Sequence, residues 1–135
     1  MYDHILVPIA ADHNPATGAA LDVARKLLSA GGRITALTVV EAMPGYILSQ
    51  LPEGQIERTK AEVAAELAAD LGGATDVNPV VTEGHSARSI LDYAEEHEVN
   101  LIVIASHRPD ITDYFLGSTA ARVVRHAKCA VHVLR

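Results

Sequence analysis

The residues best suited to chemistry form the segment Gly117-Ser118-Thr119, which follows a long loop. Gly117 lets a ligand approach the backbone closely, and the two hydroxyl groups stand at the predicted start of a helix. The free N–H groups and the positive end of such a helix bind anions. Arg108, earlier in the same loop, could add a charge-assisted contact to a phosphate. The segment therefore predicts an anion site, the alternative being an ordinary helix N-cap after a loop.

Other kinds of chemistry have weaker support in the sequence. The seven histidines include no pair at the i, i+4 spacing of a helical zinc site. Ser118, His107 and Asp110 could act as nucleophile, base and orienting acid, but no nucleophile elbow is present. Asp12, Asp110 and Asp113 could hold Mg²⁺ beside phosphates, or they could be turn residues. We therefore assign no catalytic residue and no metal centre.

Two common nucleotide-binding signatures are absent. The sequence has no G-x-x-x-x-G-K-[ST] motif, so P-loop hydrolysis is unsupported. It also has no G-x-G-x-x-G after its first apolar segment, which removes the usual dinucleotide fingerprint.

Short apolar runs alternate along the chain with segments of helical periodicity. Predicted strands are Ile5–Ile9, Arg33–Val40, Val77–Thr82, Leu101–Ala105 and Ala130–Leu134. The four predicted helices begin at Asn14-Pro15, at Ile56, at a Ser86 cap and at Ser118. The first is ended by Gly31-Gly32, the second ends near Leu71 and the last ends near Ala127. This order predicts a single α/β domain over residues 1–135, a doubly wound five-stranded parallel sheet with helices on both faces.

Sheet topology locates the ligand site independently of any motif. Ligands of such sheets bind beyond the carboxyl ends of the strands, where the strand order reverses. Two loops are the candidates: Pro8 to Asn14 after the first strand, and the long loop Ser106 to Gly117 after the fourth. Pro79 favours an edge position for the third strand.

Composition and charge limit the possible partners and location. A net charge of -6 and a pI near 5.5 disfavour binding to nucleic acid or anionic membranes. The single Cys129 excludes an internal disulfide, as expected in a reducing compartment. The N-terminus lacks the basic region of a secretion signal, and its apolar run is too short to span a membrane. We expect a cytoplasmic protein without membrane insertion.

The last predicted strand, Ala130–Leu134, suggests a homodimer. If it lies at a sheet edge, its outer backbone groups are unpaired. Pairing with the same strand of a second copy would satisfy them in a two-fold dimer. The alternative is a protected edge in a monomer.

Segments spread over the whole chain match one known family. They are Ile5-Leu6-Val7-Pro8, Leu37-Thr38-Val39-Val40, Glu83-Gly84, the run 102–112, Leu116-Gly117-Ser118, and Val123-Val124-Arg125-His126-Ala127 with Cys129. The chain thereby resembles the universal stress protein family, most of all its short F/G-type branch. The resemblance implies strand order 3-2-1-4-5, an adenine nucleotide alpha hydrolase-like fold and a homodimer joined through the last strand.

One branch of this family binds ATP, and the resemblance implies where ATP would lie in this chain, with or without Mg²⁺. It implies adenine beside Pro8, Ile9, Ala10 and Val39. It implies ribose and phosphates along Ala105, Ser106, His107 and Arg108, and along Gly117, Ser118 and Thr119.

The chain departs from the pattern of the ATP-binding branch at several positions. Ala105 and Arg108 stand where the family motif G-x-x-G has its glycines, and Ala10 stands where members commonly carry Asp.

Three hypotheses for the function follow. The first is a dimeric cytosolic stress-response sensor or regulator that binds ATP. The second is a nucleotide-free interaction module of the same fold, favoured by Ala10 and Arg108. The third is an enzyme with slow ATP hydrolysis or autophosphorylation, based on Ser118, Thr119 and His107.

Overall fold

The computed structural model describes residues 1–10, 16–42, 44–106 and 116–135. In chain order, the elements are β1 (Tyr2–Pro8), α1 (Ala16–Leu27), β2 (Leu28–Glu41), α2 (Gly45–Leu48), α3 (Gln55–Asp70), β3 (Val77–Gly84), α4 (Ser86–Glu96), β4 (Leu101–Ala105), α5 (Ser118–His126) and β5 (Ala130–Leu134). Within the described residues, none of the helices has the length and hydropathy needed to cross a bilayer.

The five strands form one parallel sheet in the order β3-β2-β1-β4-β5, which confirms the predicted fold class and strand order. Central strand β1 pairs with β2 on one side and with β4 on the other. The chain winds outward from β1 to β3 first and then returns to lay down β4 and β5. The strand order therefore reverses between β1 and β4, the place where such sheets bind ligands.

The side chains of each strand alternate between two helical layers. Ile5 and Val7 of β1 face the layer that contains α1 and α3, whereas Leu6 faces the layer of α4 and α5. Strand β4 follows the same pattern, with Val103 on the first face and Ile104 on the second. Both faces of the central strands are thus buried, which explains why β1 and β4 are continuous apolar runs in the sequence.

The start of β2 differs most from its prediction. The strand begins at Leu28 rather than Arg33, and Gly31-Gly32 lies inside it instead of stopping α1. The pairing of β1 with β2 is irregular at this point. A Cβ atom at Gly32 would lie 2.9 Å from the backbone carbonyl oxygen of Asp3. The glycine therefore serves the close approach of two strands rather than a helix end.

Two further predictions of local structure are corrected. The stretch between β2 and α3, expected to be irregular, contains the short helix α2. Ser86 is the first residue of α4 rather than its cap, and its hydroxyl donates to the Glu41 carboxylate at 2.7 Å. The predicted cap at Asn14-Pro15 lies outside the described residues. Strands β4 and β5 have their predicted bounds, and β3, with Pro79, is an edge strand as expected.

Candidate functional site

The carboxyl end of β1 supplies one wall of the cleft at the switch point. Pro8 ends the strand, and the next residue, Ile9, is buried and donates its N–H to the Leu37 carbonyl of β2 at 2.8 Å. Ala10 follows and is exposed. Val39 lies half-buried in β2 and packs on the opposite face of the sheet from Ile9. This wall is aliphatic, and the N–H of Ile9 is already used by the protein.

Ser106, directly after β4, is the most informative residue of the site. Its side chain is 9% exposed, and its N–H donates to the Leu134 carbonyl of β5 at 2.9 Å. The alternation of β4 directs the side chain to the face that α4 and α5 cover. Its buried Oγ has no hydrogen-bond partner among the described residues. A buried hydroxyl left without a partner costs about 1–3 kcal/mol, so a ligand, a water molecule or a group outside the described residues must pair with this one.

The N-terminus of α5 lies beside Ser106. Gly117 occupies the N-cap position, and its carbonyl accepts the first helical hydrogen bond, from Ala121 at 2.8 Å. The preceding N–H groups, of Ser118, Thr119 and Ala120, have no acceptor within the helix. No side chain caps them among the residues that the structure describes. As far as the described residues show, three donors and the positive end of the helix dipole are therefore open to an anion.

Neither packing nor backbone conformation requires glycine at position 117. Its φ of -54° and ψ of 149° are accessible to any residue. A Cβ atom built there would lie 3.7 Å from the carbonyl oxygen of Ser106, an ordinary van der Waals contact. The same distance shows that Ser106 and the start of α5 are neighbours across the intervening loop. The absence of a side chain at Gly117 leaves the backbone N–H groups open to a ligand.

The structure brings some of the sequence-predicted site residues together and leaves others undetermined. Pro8 ends β1 and is followed by Ile9 and Ala10, and Ala105 ends the neighbouring strand β4 and is followed by Ser106. Gly117, Ser118 and Thr119 begin α5, with Ser118 exposed and Thr119 half-buried. His107 and Arg108 lie outside the described residues, as do Asp12, Asp110 and Asp113.

Polar contacts that sequence reasoning missed occur at the same edge of the sheet, beyond β2 and β3. Besides the bond between Ser86 and Glu41, Lys60 of α3 forms an ion pair with Glu83 at 3.1 Å. Gly84 has a φ of 147°, and a Cβ atom there would lie 2.7 Å from the Ser89 hydroxyl. In the sequence, Glu83-Gly84 shortly before Ser86 is the signal for these polar contacts. The partners Glu41 and Lys60 belong to distant elements, so the sequence alone could not identify them.

The titratable groups with shifted pKa values lie away from this cleft. His4, near the start of β1, is buried, and burial lowers the pKa of its imidazole. Its Nδ1 donates to the His97 carbonyl at 2.9 Å, so Nε2 accepts from the Thr35 hydroxyl, also at 2.9 Å. His4 thus joins β1, β2 and the end of α4 as a neutral structural residue. In the described parts of the chain, no three metal-ligating side chains form a cluster.

Comparison with known proteins agrees with the fold. A model of the universal stress protein family matches residues 1–135. A universal stress protein of Methanothermobacter thermautotrophicus is 36% identical over 56 residues, which are 42% of this chain and 38% of that protein. Universal stress protein G of Salmonella typhimurium is 43% identical over 51 residues, 37% of this chain and 36% of that protein. These matches therefore span little more than a third of the relatives' own lengths.

Solved structures match over almost the whole chain. Universal stress protein UspA of Lactobacillus plantarum has a TM-score of 0.69 and 28% identity, covering 99% of this chain and 98% of that one. The hypothetical protein MJ0577 has a TM-score of 0.81 and 19% identity, covering 99% and 96%. A universal stress protein in complex with cAMP has a TM-score of 0.65 and 19% identity, covering 99% and 97%. With the sheet order and the family match over its full length, the chain belongs to the universal stress protein family.

Proposed function

We propose that this protein binds ATP in the cleft between the ends of β1 and β4 and acts as a dimeric, cytoplasmic stress-response sensor or regulator. The proposal rests on the buried hydroxyl of Ser106, which has no partner among the described residues, beside the N-terminus of α5. A protein of the same fold is known in complex with cAMP, which is also an adenine nucleotide. The net charge of -6 does not attract an anionic ligand such as ATP. Binding therefore depends on hydrogen-bond donors close to the phosphates rather than on the electric field of the whole protein.

In this proposal the phosphates bind at the start of α5. The N–H groups of Ser118 and Thr119 donate to phosphate oxygens, and Ser106 donates its hydroxyl proton. Hydrogen bonds to a charged group contribute about 1.5–3 kcal/mol each, so a few of them are sufficient for micromolar affinity. His107 and Arg108 are the further phosphate contacts that the family resemblance implies.

The base is proposed to lie beyond the end of β1, against Pro8, Ala10 and Val39, with only the backbone of Ile9, because the Ile9 side chain packs on the opposite face of the sheet from Val39. These side chains are aliphatic, so adenine would be held by apolar contact and by backbone groups. Ala10 has no polar atom on its side chain, and the N–H of Ile9 is bonded to Leu37. The proposed site therefore relies on the phosphate end of the ligand for most of its affinity.

The test is a calorimetric titration of the purified protein with ATP, with and without Mg²⁺, alongside mass spectrometry of small molecules that the native protein releases. We expect saturable heat with ATP and a released adenine nucleotide. A titration without heat and without a thermal shift at millimolar ATP would contradict the proposal. Phosphate release from labelled ATP, compared with a Ser118→Ala variant, tests the enzymatic alternative separately.

A nucleotide-free interaction module is the second candidate. It is favoured by Ala10, which is exposed and provides no hydrogen bond where a nucleoside would be held. The same titration separates the two, because an interaction module shows no heat with any adenine nucleotide.

The proposed dimer forms through the free edge of β5. The Leu134 carbonyl accepts from Ser106, so the backbone groups of Leu134 point towards β4. Because N–H and C=O of one residue point to the same side of a strand, those of Val131 and Val133 point to the open edge. A Val133→Pro variant removes one outward N–H without touching the ladder to β4. We expect the Val133→Pro variant to sediment as a monomer and the Val133→Thr control to sediment as a dimer. A wild-type protein that sediments as a monomer would refute the proposed dimer.

A further inference from the structure

A second cavity lies at the opposite end of the sheet from the nucleotide cleft. It is an open pocket of about 150 Å³ between the C-terminal ends of α4 and α5. The start of β4 forms the base of this cavity at Ile102, four residues before Ser106. Buried aliphatic side chains line its floor: Ala94, Val99 and Ile102. Exposed charged side chains line its mouth: Glu95, Glu98 and Lys128.

The size and lining of the floor select a small apolar group. This pocket is open to solvent on one side, but its apolar floor is of the size that holds a small ring, since a closed apolar cavity of about 150 Å³ binds benzene. A group of about six carbon atoms would therefore fill the space above Val99 and Ile102 and remove their exposed surface from water.

The charges at the mouth select a cation. Lys128 is already paired with Glu95 at 2.9 Å, so these two charges compensate each other. Glu98 forms no ion pair with any residue that the structure describes. The last turns of α4 and α5 also end at this cavity, and helix C-termini carry partial negative charge. The mouth, which the exposed His126 also lines, thus has one carboxylate without an ion-pair partner among the described residues, beside two helix C-termini.

The backbone conformation at Glu98 sets the position of its carboxylate. Its φ is 53°, the single positive value of a non-glycine residue in the described parts of the chain. It follows α4 in the left-handed position, and the N–H of Val99 closes the helix end on the Ala94 carbonyl at 2.9 Å. Glycine is favoured at this position, and a residue with a side chain costs about 1 kcal/mol there. This ordinary form of helix end places the Glu98 carboxylate at the mouth of the cavity.

We propose that this cavity is a binding site for a small primary amine with a compact apolar body. The body packs on Ala94, Val99 and Ile102, and the ammonium group binds the Glu98 carboxylate and the nearby helix C-terminal carbonyls. The site is separate from the nucleotide cleft and does not depend on it.

Cys129 provides a direct reporter of occupancy. It is the only cysteine of the chain, it is half-buried, and it lines the cavity. Burial raises the pKa of its thiol, so only a small fraction is the reactive thiolate at neutral pH and the uncovered group is modified slowly. A ligand in the cavity covers it and slows its reaction further.

The experiment measures the rate at which a neutral dipyridyl disulfide modifies Cys129 in the full chain, with benzylamine as the probe. We expect saturable protection in the millimolar range, and no saturable protection by methylammonium or phenylacetate. Glu98→Gln should weaken benzylamine about tenfold and Ala94→Leu, which fills the floor, should abolish protection. Glu96→Gln, a neighbouring exposed carboxylate on α4 outside the cavity, is the matched control and should bind like the wild type.

Three results would overturn the proposal. They are an absence of saturable protection by benzylamine across the millimolar range, equal protection by benzyl alcohol and benzylamine, and a Glu98→Gln variant that binds benzylamine as the wild type does. Because Glu98 is exposed, this last variant is expected to fold even if Ala94→Leu does not. Amide NMR shifts at Val99 and Ile102 locate the binding independently of the thiol.

Discussion

Gly117→Ala tests the proposed anion site without disturbing the protein around it. The added methyl group would lie 3.7 Å from the Ser106 carbonyl oxygen, and φ of -54° is ordinary for alanine. Alanine is a poorer N-cap than glycine, so we expect a loss of about 0.5 kcal/mol in the free energy of unfolding. The methyl group would, however, occupy the space through which a phosphate approaches the N–H groups of Ser118 and Thr119.

The expected effect on binding is much larger than the effect on stability. Loss of one charged hydrogen bond of about 1.5–3 kcal/mol weakens ATP roughly 10- to 100-fold. Calorimetric titration with ATP measures this, and urea unfolding measures the stability. Gly18→Ala is the matched control, because Gly18 lies in α1 with no atom within 4 Å of a built Cβ. It should gain about 1 kcal/mol of stability and bind ATP normally.

Two outcomes of this experiment would refute the reasoning. If the wild type binds ATP and Gly117→Ala binds it equally well, the phosphates do not contact the start of α5. If Gly117→Ala unfolds the protein, the packing around the glycine has been misread.

Three further predictions concern single residues. Ser106→Ala should leave the free protein as stable or up to about 1 kcal/mol more stable in urea unfolding, because the hydroxyl that is removed has no partner in the described part of the chain, while ATP affinity falls. Burial keeps the folded-state pKa of His4 below its ordinary value of about 6.5, so the unfolded chain binds more protons. The free energy of unfolding should therefore fall as the pH is lowered below about 6.5, with a smaller slope in His4→Gln, measured by urea unfolding at several pH values. Glu98→Gly should raise the melting temperature, since it relieves about 1 kcal/mol of backbone strain; an unchanged or lower value would show that the carboxylate stabilises the helix end.

The elements that could be predicted from sequence are those buried on both sides or strongly periodic. Strand β4 is a continuous apolar run because both helical layers cover it, and its bounds were predicted correctly. Helix α2 was missed because its four residues bury nothing and so leave no hydrophobic pattern. The early start of β2 was missed because Gly31-Gly32 resembles a helix stop, whereas Gly32 is needed for contact with the backbone of Asp3.

The candidate site was predictable only in part for a similar reason. Local chemistry and topology indicated Gly117 and the end of β4, because ligand-binding backbone geometry has a sequence signature. The unpartnered state of the Ser106 hydroxyl depends on every neighbour in three dimensions, so no sequence pattern could show it. The contact between Glu41 and Ser86 is equally hidden, since it joins the end of β2 to the start of α4.

A crystal structure of the protein grown with ATP tests the central claim most directly. The account predicts phosphate oxygens within hydrogen-bonding distance of the Ser106 hydroxyl and of the N–H groups of Ser118 and Thr119, with adenine against the end of β1. A cleft without nucleotide at millimolar ATP, with a water molecule as the only partner of the Ser106 hydroxyl, would contradict it.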